Sequence, residues 1–133
     1  MMAIAGIETG GRDHEVVDVG EAFLRIANQH RLRFPGKVVG ITGSCGKTST
    51  KDALQLLLGP ETCLATEGNF NNLLGVPLTL LQLEPELHRQ AVVEAGINCT
   101  GEMGRLAHTI APNLALVTMV GPSHLEGLGS VEN

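Results

Sequence analysis

Aromatic side chains are nearly absent from this 133-residue sequence, which has three Phe, no Trp and no Tyr. Its core therefore has to be packed from aliphatic side chains, and the 43% hydrophobic content is enough for one globular domain. The shortage also removes the aromatic surfaces on which single-stranded bases stack. Basic residues are outnumbered as well, since the net charge is −5 and the pI is about 5.4. We therefore expect neither nucleic acid nor an anionic membrane as a partner.

Cysteine is scarce too. Cys45, Cys63 and Cys99 are odd in number and form no C-x-x-C pair, so the sequence predicts neither a disulfide framework nor a zinc site. Cys63 and Cys99 are expected to be packing residues. No apolar run approaches the roughly 18 residues that would span a bilayer, and the N-terminus lacks the basic stretch and long apolar core of a signal peptide. These features favour a reducing cytoplasm.

Apolar runs that alternate with amphipathic stretches dominate the rest of the sequence. Helices are predicted over residues 18–33, 47–58, 76–83 and 101–110, and strands over residues 37–42, 62–66, 90–94 and 114–120. Such alternation predicts an α/β fold in which helices flank a mostly parallel sheet. The buried face of the first helix is predicted from helical spacing to contain Val19, Ala22, Phe23, Ile26, Ala27 and His30.

The stretch GITGSCGKTST, residues 40–50, lies between the first predicted strand and the next helix. A helix start has unpaired N–H groups and a partial positive charge, and Gly43 and Gly46 would let the backbone wrap a phosphate closely. Lys47 can reach the β- and γ-phosphates, and the Thr48 hydroxyl can ligate Mg²⁺. The pattern G-x-x-x-x-G-K-[ST] is not matched strictly, because Ile41 stands at its first glycine. The strand–loop–helix context nevertheless predicts a phosphate site.

Polar residues follow the ends of the other predicted strands, where α/β proteins bind ligands. Glu94 ends the strand QAVVE and would either hold Mg²⁺ or be a solvated carboxylate. Asn69, Asn71 and Asn72 in EGNFNN would either bind a polar substrate or form a turn. His124 in GPSHLEG follows the fourth strand and is either functional or structural.

Four stretches in series resemble the Mur ligases of bacterial cell-wall synthesis: ITGSCGKTST, TEGNFNNLLGVPLTLL, VVEAGINCTGEM and GPSHLEGLGS. The short glycine–lysine loop is similar to that family's form of the phosphate loop. The resemblance covers about residues 36–133 and implies that they are part of a central ATP-binding domain. Residues 1–35 are then a leader and a helix that remain from, or link to, an N-terminal domain.

The resemblance implies an ATP-dependent amide ligase. ATP would convert the carboxylate of a UDP-N-acetylmuramoyl-peptide into an acyl-phosphate, which an incoming amine, here D-alanyl-D-alanine, attacks. ATP and Mg²⁺ would be the cofactors. Lys47, Glu94 and His124 are implied in catalysis. The residues implied at ATP are Gly43, Ser44, Cys45, Gly46, Lys47, Thr48 and Ser49. Those implied at Mg²⁺ are Thr48, Glu94 and His124, and those implied at the muramoyl-peptide are Thr66, Asn69, Asn71 and Asn72.

Several parts of the family are expected to be missing from this sequence. They are a complete N-terminal domain, a carbamylated lysine that ligates Mg²⁺, the adenine-binding parts and a C-terminal domain. The chain is therefore expected to be a fragment, monomeric and inactive alone. Two alternatives stay open: a different amide ligase, either another Mur ligase or one like folylpolyglutamate synthase, and a nucleotide-binding module without catalysis.

Overall fold

The computed structural model describes residues 18–122, which form an α/β fold with the expected order of elements. The helices are Val19–Arg33 (α1), Lys47–Leu58 (α2), Gly75–Leu81 (α3) and Glu102–Ile110 (α4). The strands are Lys37–Thr42 (β1), Cys63–Ala65 (β2), Gln90–Glu94 (β3) and Leu114–Val117 (β4). None of these helices is long and apolar enough to cross a membrane.

The strands form one parallel sheet in the order β2-β3-β1-β4. From β1 the chain passes to β2 at one edge of the sheet, whereas the connection from β3 to β4 crosses to the other side of β1. The carboxyl end of β1 therefore lies where the connections diverge, which is the usual place for a ligand crevice in such sheets. The loop that follows β1 is the predicted phosphate loop.

Helices cover both faces of the sheet, and the residues between them are almost all aliphatic. Successive side chains of a strand point to opposite faces, so Val92 packs toward α2 while its neighbours Ala91 and Val93 pack toward α3 and α4. α1 packs against α3 and α4, on the face of the sheet opposite to α2. β3 is buried on both sides, which explains its continuous apolar character in the sequence, whereas most of β4, at the edge of the sheet, is exposed.

The buried face of α1 is predicted only in part, because Ala27 is buried and Ala22, Phe23 and His30 are half-buried, whereas Val19 and Ile26 are exposed. Val19 is 60% exposed and Ile26 is 59% exposed. The buried residues are Leu24, Ala27, Asn28 and Arg31, and of these only Ala27 belongs to the predicted set. Two of these four, Asn28 and Arg31, are polar, and a search for apolar spacing therefore misses part of the buried face.

The polar residues on this face of α1 donate hydrogen bonds to the last carbonyl groups of α4. Asn28 Nδ2 donates to His108 O at 2.8 Å, and Arg31 Nε donates to Ile110 O at 3.1 Å. The last carbonyl groups of a helix have no partner within that helix, and buried polar groups are costly unless they are hydrogen-bonded. The pairing of α1 with the end of α4 thus explains why polar side chains are buried here.

β4 is shorter than the sequence predicts, because the chain leaves regular pairing after Val117. Thr118 N still donates to Thr42 O, but Met119 O accepts a hydrogen bond from Ser44 in the loop after β1. Residues 118–121 therefore follow the phosphate loop rather than extending the strand. Their apolar composition is the reason that they resemble the end of a strand in the sequence.

Candidate nucleotide and metal site

Two glycines give the loop between β1 and α2 its shape. Gly43 has φ 138° and Gly46 has φ 83°, a region that side-chain-bearing residues rarely adopt. A Cβ at Gly43 would also collide with Thr118 Oγ1 and lie 3.0 Å from the backbone of Met119. Gly46 is the N-cap of α2, and within residues 18–122 no side chain caps this helix start. The first N–H groups of α2 are therefore suited to an anion.

The segment after β4 fixes the first half of the loop. Ser44 N donates to Met119 O at 2.9 Å. The Ser44 hydroxyl donates to Gly121 O at 2.8 Å and accepts from Gly121 N at 2.9 Å. Thr118 Oγ1 donates to Cys45 O at 2.6 Å. Ser44, implied at ATP by the resemblance, thus uses both its amide and its hydroxyl to hold the loop in place.

Lys47 is half-buried at the first position of α2, and its side chain folds back across the loop. Its Nζ donates to Gly43 O at 2.7 Å. A phosphate oxygen is a stronger acceptor for an ammonium group than a neutral carbonyl is, because both partners are then charged. The ammonium group is therefore placed at the loop, with a partner that an anion can replace. Ser49, also implied at ATP, is exposed in the first turn of the same helix.

Glu94 lies at the carboxyl end of β3 and is only 2% exposed, so it is not a solvated carboxylate. Its Oε2 accepts a hydrogen bond from Thr48 Oγ1 at 3.0 Å, and its Oε1 accepts one from Asn71 Nδ2 at 2.8 Å. Its backbone N donates to the hydroxyl of buried Thr66 at 2.9 Å. β3 and α2 together thus place a carboxylate beside the phosphate loop.

The donor set at this place fits a hard divalent cation. The ligands that Mg²⁺ prefers are carboxylate and hydroxyl oxygens together with phosphate oxygens and water, and Thr48 and Glu94 supply the first two. Among the residues the structure describes, no Lys, Arg or His lies within ion-pair distance of Glu94. In the same part of the chain, no group of three His, Cys, Asp or Glu could hold a metal. With one carboxylate and one hydroxyl from the protein, a Mg²⁺ ion here would take its remaining ligands from nucleotide phosphates and water.

The residues predicted at the substrate have different surroundings. Asn69 is exposed in the loop after β2. Asn71 is half-buried and contacts Glu94. Asn72 Oδ1 accepts hydrogen bonds from the backbone N–H groups of Leu74 and Gly75, in the turn that leads into α3. Asn72 therefore has the turn-forming role that its residue type also allowed.

Thr66 is also engaged within the protein. It is 1% exposed, and its backbone O accepts a hydrogen bond from Lys51 Nζ at 2.8 Å. Lys51 lies one turn after the phosphate loop on α2 and is itself buried. This contact joins α2 to the end of β2, a link that no sequence motif indicated. His124, the remaining predicted site residue, lies outside the described residues.

The three cysteines are free and differ in exposure. Cys63 is buried, as expected, and burial raises the pKa of its thiol. The expectation that Cys99 is a packing residue is wrong, since it is exposed just before α4. Cys45 is exposed within the phosphate loop. The chain therefore has one exposed thiol inside the candidate site and one outside it.

The fold and site define the class of protein. A glycine loop at the start of a helix, at the point where the strand connections diverge, with a buried acid beside it, is typical of α/β proteins that bind nucleotide phosphates. Residues 41–133 match the Mur ligase middle domain. This match covers more than half of the chain, and the chain belongs to the Mur ligase family.

Named relatives agree with this assignment. The chain is 39% identical to the UDP-N-acetylmuramoyl-tripeptide–D-alanyl-D-alanine ligase of Bacillus subtilis, over 90% of this chain and 27% of the relative. It is 43% identical to the ligase of the same name from Escherichia coli, over 87% of this chain and 26% of that protein. The chain thus spans about a quarter of the length of the curated relatives it matches.

Solved structures give the same picture. The chain matches MurF from Acinetobacter baumannii with a TM-score of 0.83 and 37% identity, covering 88% of this chain and 26% of that one. It matches MurF ligase from Thermotoga maritima, solved in complex with ADP, with a TM-score of 0.79 and 31% identity, covering 96% of this chain and 30% of that one. At these identities the likeness extends beyond the fold to the sequence.

Proposed function

We propose that this chain supplies the phosphate- and Mg²⁺-binding part of an ATP-dependent ligase that joins D-alanyl-D-alanine to UDP-N-acetylmuramoyl-tripeptide. The observation that supports this best is the placement of the loop of residues 43–48 beside buried Glu94, with the Thr48 hydroxyl 3.0 Å from the carboxylate. The names of the relatives supply the substrates.

The proposed chemistry follows from the negative charges of the two groups that have to react. The substrate carboxylate and the γ-phosphate of ATP are both anionic, so they repel each other until positive charge lies between them. Lys47 and the N–H groups at the start of α2 would hold the γ-phosphate. Thr48 and Glu94 would hold Mg²⁺, together with His124 by resemblance. When bound, this cation would neutralise the charge that develops on the phosphate oxygens.

Two bonds form in the proposed sequence. The substrate carboxylate takes the γ-phosphoryl group, which gives an acyl-phosphate and ADP. The amine of D-alanyl-D-alanine then forms the amide bond, and inorganic phosphate leaves. Positioning of the reacting groups supplies much of the acceleration in such transfers. We assign Asn69 to the muramoyl-peptide side, because it is exposed in the loop that follows β2, whereas the side chains of Asn71 and Asn72 are engaged in hydrogen bonds within the protein. Free cysteines and a nucleotide substrate favour a cytoplasmic location.

A chimeric enzyme tests the complete reaction. In the Escherichia coli relative, the segment that matches this chain is replaced by the corresponding residues of this chain. We expect ADP release that requires both UDP-N-acetylmuramoyl-tripeptide and D-alanyl-D-alanine. Lys47→Ala in the chimera should lower the rate by about 100-fold or more, the usual loss when one transition-state donor is removed. Release that depends on a different amine, such as glutamate, would favour another amide ligase, and a folded chimera without any activity would contradict the proposal.

Nucleotide binding by the chain itself is tested by thiol alkylation. Cys45 lies in the loop, so Mg-ATP at about ten times its Kd should slow alkylation of Cys45 by about tenfold, because only the free fraction reacts. Exposed Cys99 serves as an internal reference whose rate should not change, and buried Cys63 should stay unmodified until the chain unfolds. The sites are separated by mass spectrometry of peptides. Equal rates at Cys45 with and without Mg-ATP would show that the nucleotide does not occupy the loop.

A further inference from the structure

The two carboxylate oxygens of Glu94 have different partners. Oε2 is paired with the Thr48 hydroxyl on α2, whereas Oε1 is paired with the amide of Asn71 in the loop after β2. An ionised carboxylate can only accept, so Asn71 has to present its NH₂ group, which fixes the direction of the amide. The carboxylate is thereby held from both sides, and rotation about its last bond would break one hydrogen bond or both.

Asn71 itself lies in a fixed slot. Its backbone O accepts a hydrogen bond from Gly96 N at 2.7 Å, and its backbone N donates to Asn69 O at 2.7 Å. A Cβ built at Gly96 would lie 3.0 to 3.1 Å from the side-chain amide atoms of Asn71. The amide therefore lies directly against the glycine two residues after Glu94, where a larger residue would push it away.

The main chain of Glu94 is also fixed by its neighbours. Its N–H donates to Thr66 Oγ1 at 2.9 Å, and the carbonyl of Thr66 is held by Lys51 Nζ at 2.8 Å. With the backbone anchored in this way, the freedom that remains to Glu94 is in its side chain. Asn71 is the contact that removes this freedom on the side away from Thr48.

We propose that Asn71 is a positioning residue, which holds the Glu94 carboxylate in the orientation that directs Oε2 toward Thr48, so that the two oxygens together would hold a cation. This inference rests on the proposed function and places Asn71 at the metal side rather than at the substrate. Neighbours that orient a metal ligand typically change metal affinity by about 10- to 100-fold when they are removed. The exposed amide of Asn69 is left for the substrate.

The test compares Asn71→Ala with Asn98→Ala, which removes the same group from an exposed amide before α4. ATP binding to the full chain is measured by calorimetry over a series of Mg²⁺ concentrations and again in EDTA. Asn71→Ala should raise the Mg²⁺ concentration for half-maximal binding by about tenfold or more, with no change in the affinity for ATP in EDTA. Asn98→Ala should change neither. Gly96→Ala displaces the same amide from the other side and should give the same selective effect as Asn71→Ala.

The failure of this inference can be distinguished from the failure of the proposed function. A parent chain that binds no ATP under any condition would refute both. Normal Mg²⁺-dependent binding by the parent, with an unchanged Mg²⁺ requirement in Asn71→Ala, would refute the positioning role alone. An equal loss with and without Mg²⁺ would assign Asn71 to the shape of the loop instead. The pairing is checked separately by NMR, since the side-chain NH₂ signal of Asn71 should move in Glu94→Gln, and a stationary signal would also overturn the inference.

Discussion

Lys47→Ala is expected to weaken binding of Mg-ATP by about 10- to 100-fold. A hydrogen bond between charged groups contributes about 1.5 to 3 kcal/mol, and each 1.4 kcal/mol corresponds to a factor of ten in affinity. Lys47 Nζ lies on the Gly43 carbonyl, within the loop that would surround the phosphates. Its loss therefore removes an ammonium group from the place where the γ-phosphate is expected. Calorimetric titration of both proteins measures the effect.

Lys37→Ala is the matched control for this experiment. Lys37 is exposed at the amino end of β1, whereas Lys47 follows the carboxyl end of the same strand. Both substitutions change the net charge by one unit, so a general electrostatic effect would appear equally in both. We expect the affinity of Lys37→Ala to stay near that of the parent chain. Equal binding by all three proteins would mean that the loop is not the phosphate site.

The second large effect is expected on stability. Arg31→Leu should lower the free energy of unfolding by about 3 kcal/mol, because buried acceptors that lose their donor cost about 1 to 3 kcal/mol each. Arg31 is 5% exposed. Its guanidinium donates to four acceptors: Ile110 O at 3.1 Å, Phe34 O at 3.4 Å, Ala111 O at 3.1 Å and Asn113 Oδ1 at 3.0 Å. Urea unfolding followed by circular dichroism gives the difference.

The loss of stability in Arg31→Leu should come from the hydrogen bonds of Arg31 and not from the loss of one positive charge on α1. Burial lowers the pKa of its guanidinium, but an arginine keeps its charge at neutral pH, so all five donors remain available. Arg33→Leu removes the same charge from an exposed position on the same helix, and we expect a change below about 1 kcal/mol. Arg31→Lys should be intermediate, because one ammonium group cannot replace the planar fork of donors. Equal losses at Arg31 and Arg33 would show that the buried contacts do not stabilise the fold.

The connection from Arg31 also reaches the sheet that holds the site. Asn113, which Arg31 contacts, accepts a hydrogen bond from Val38 N at 2.9 Å, and Asn113 N donates to Val38 O at 2.8 Å. These contacts set the register between the beginnings of β1 and β4. The phosphate loop follows β1, and the segment that fixes Ser44 follows β4. Loss of Arg31 should therefore weaken the pairing at the beginnings of β1 and β4, the two strands that position the phosphate loop and the segment that fixes it.

The sequence by itself determined the kinds of element, their order and the position of the glycine loop between β1 and α2. These features depend on local signals. Apolar runs that can be buried on both sides predict parallel strands, and Gly43 and Gly46 with Lys47 between a strand and a helix predict a phosphate loop. The match to the Mur ligase middle domain confirms the family that four short stretches indicated.

The partners of the buried polar groups were decided only by the tertiary structure. Thr48 and Glu94 are 46 residues apart in the chain, and Ser44 and Gly121 are 77 residues apart. Their contacts depend on the order β2-β3-β1-β4 and on the register of parallel pairing, which no local pattern specifies. The buried face of α1 is a further instance, because Arg31 is buried for the carbonyl groups at the end of α4 rather than for any hydrophobicity of its own. Local sequence signals determine which helices and strands form, whereas hydrogen bonds between residues far apart in the chain determine which polar side chains are in contact.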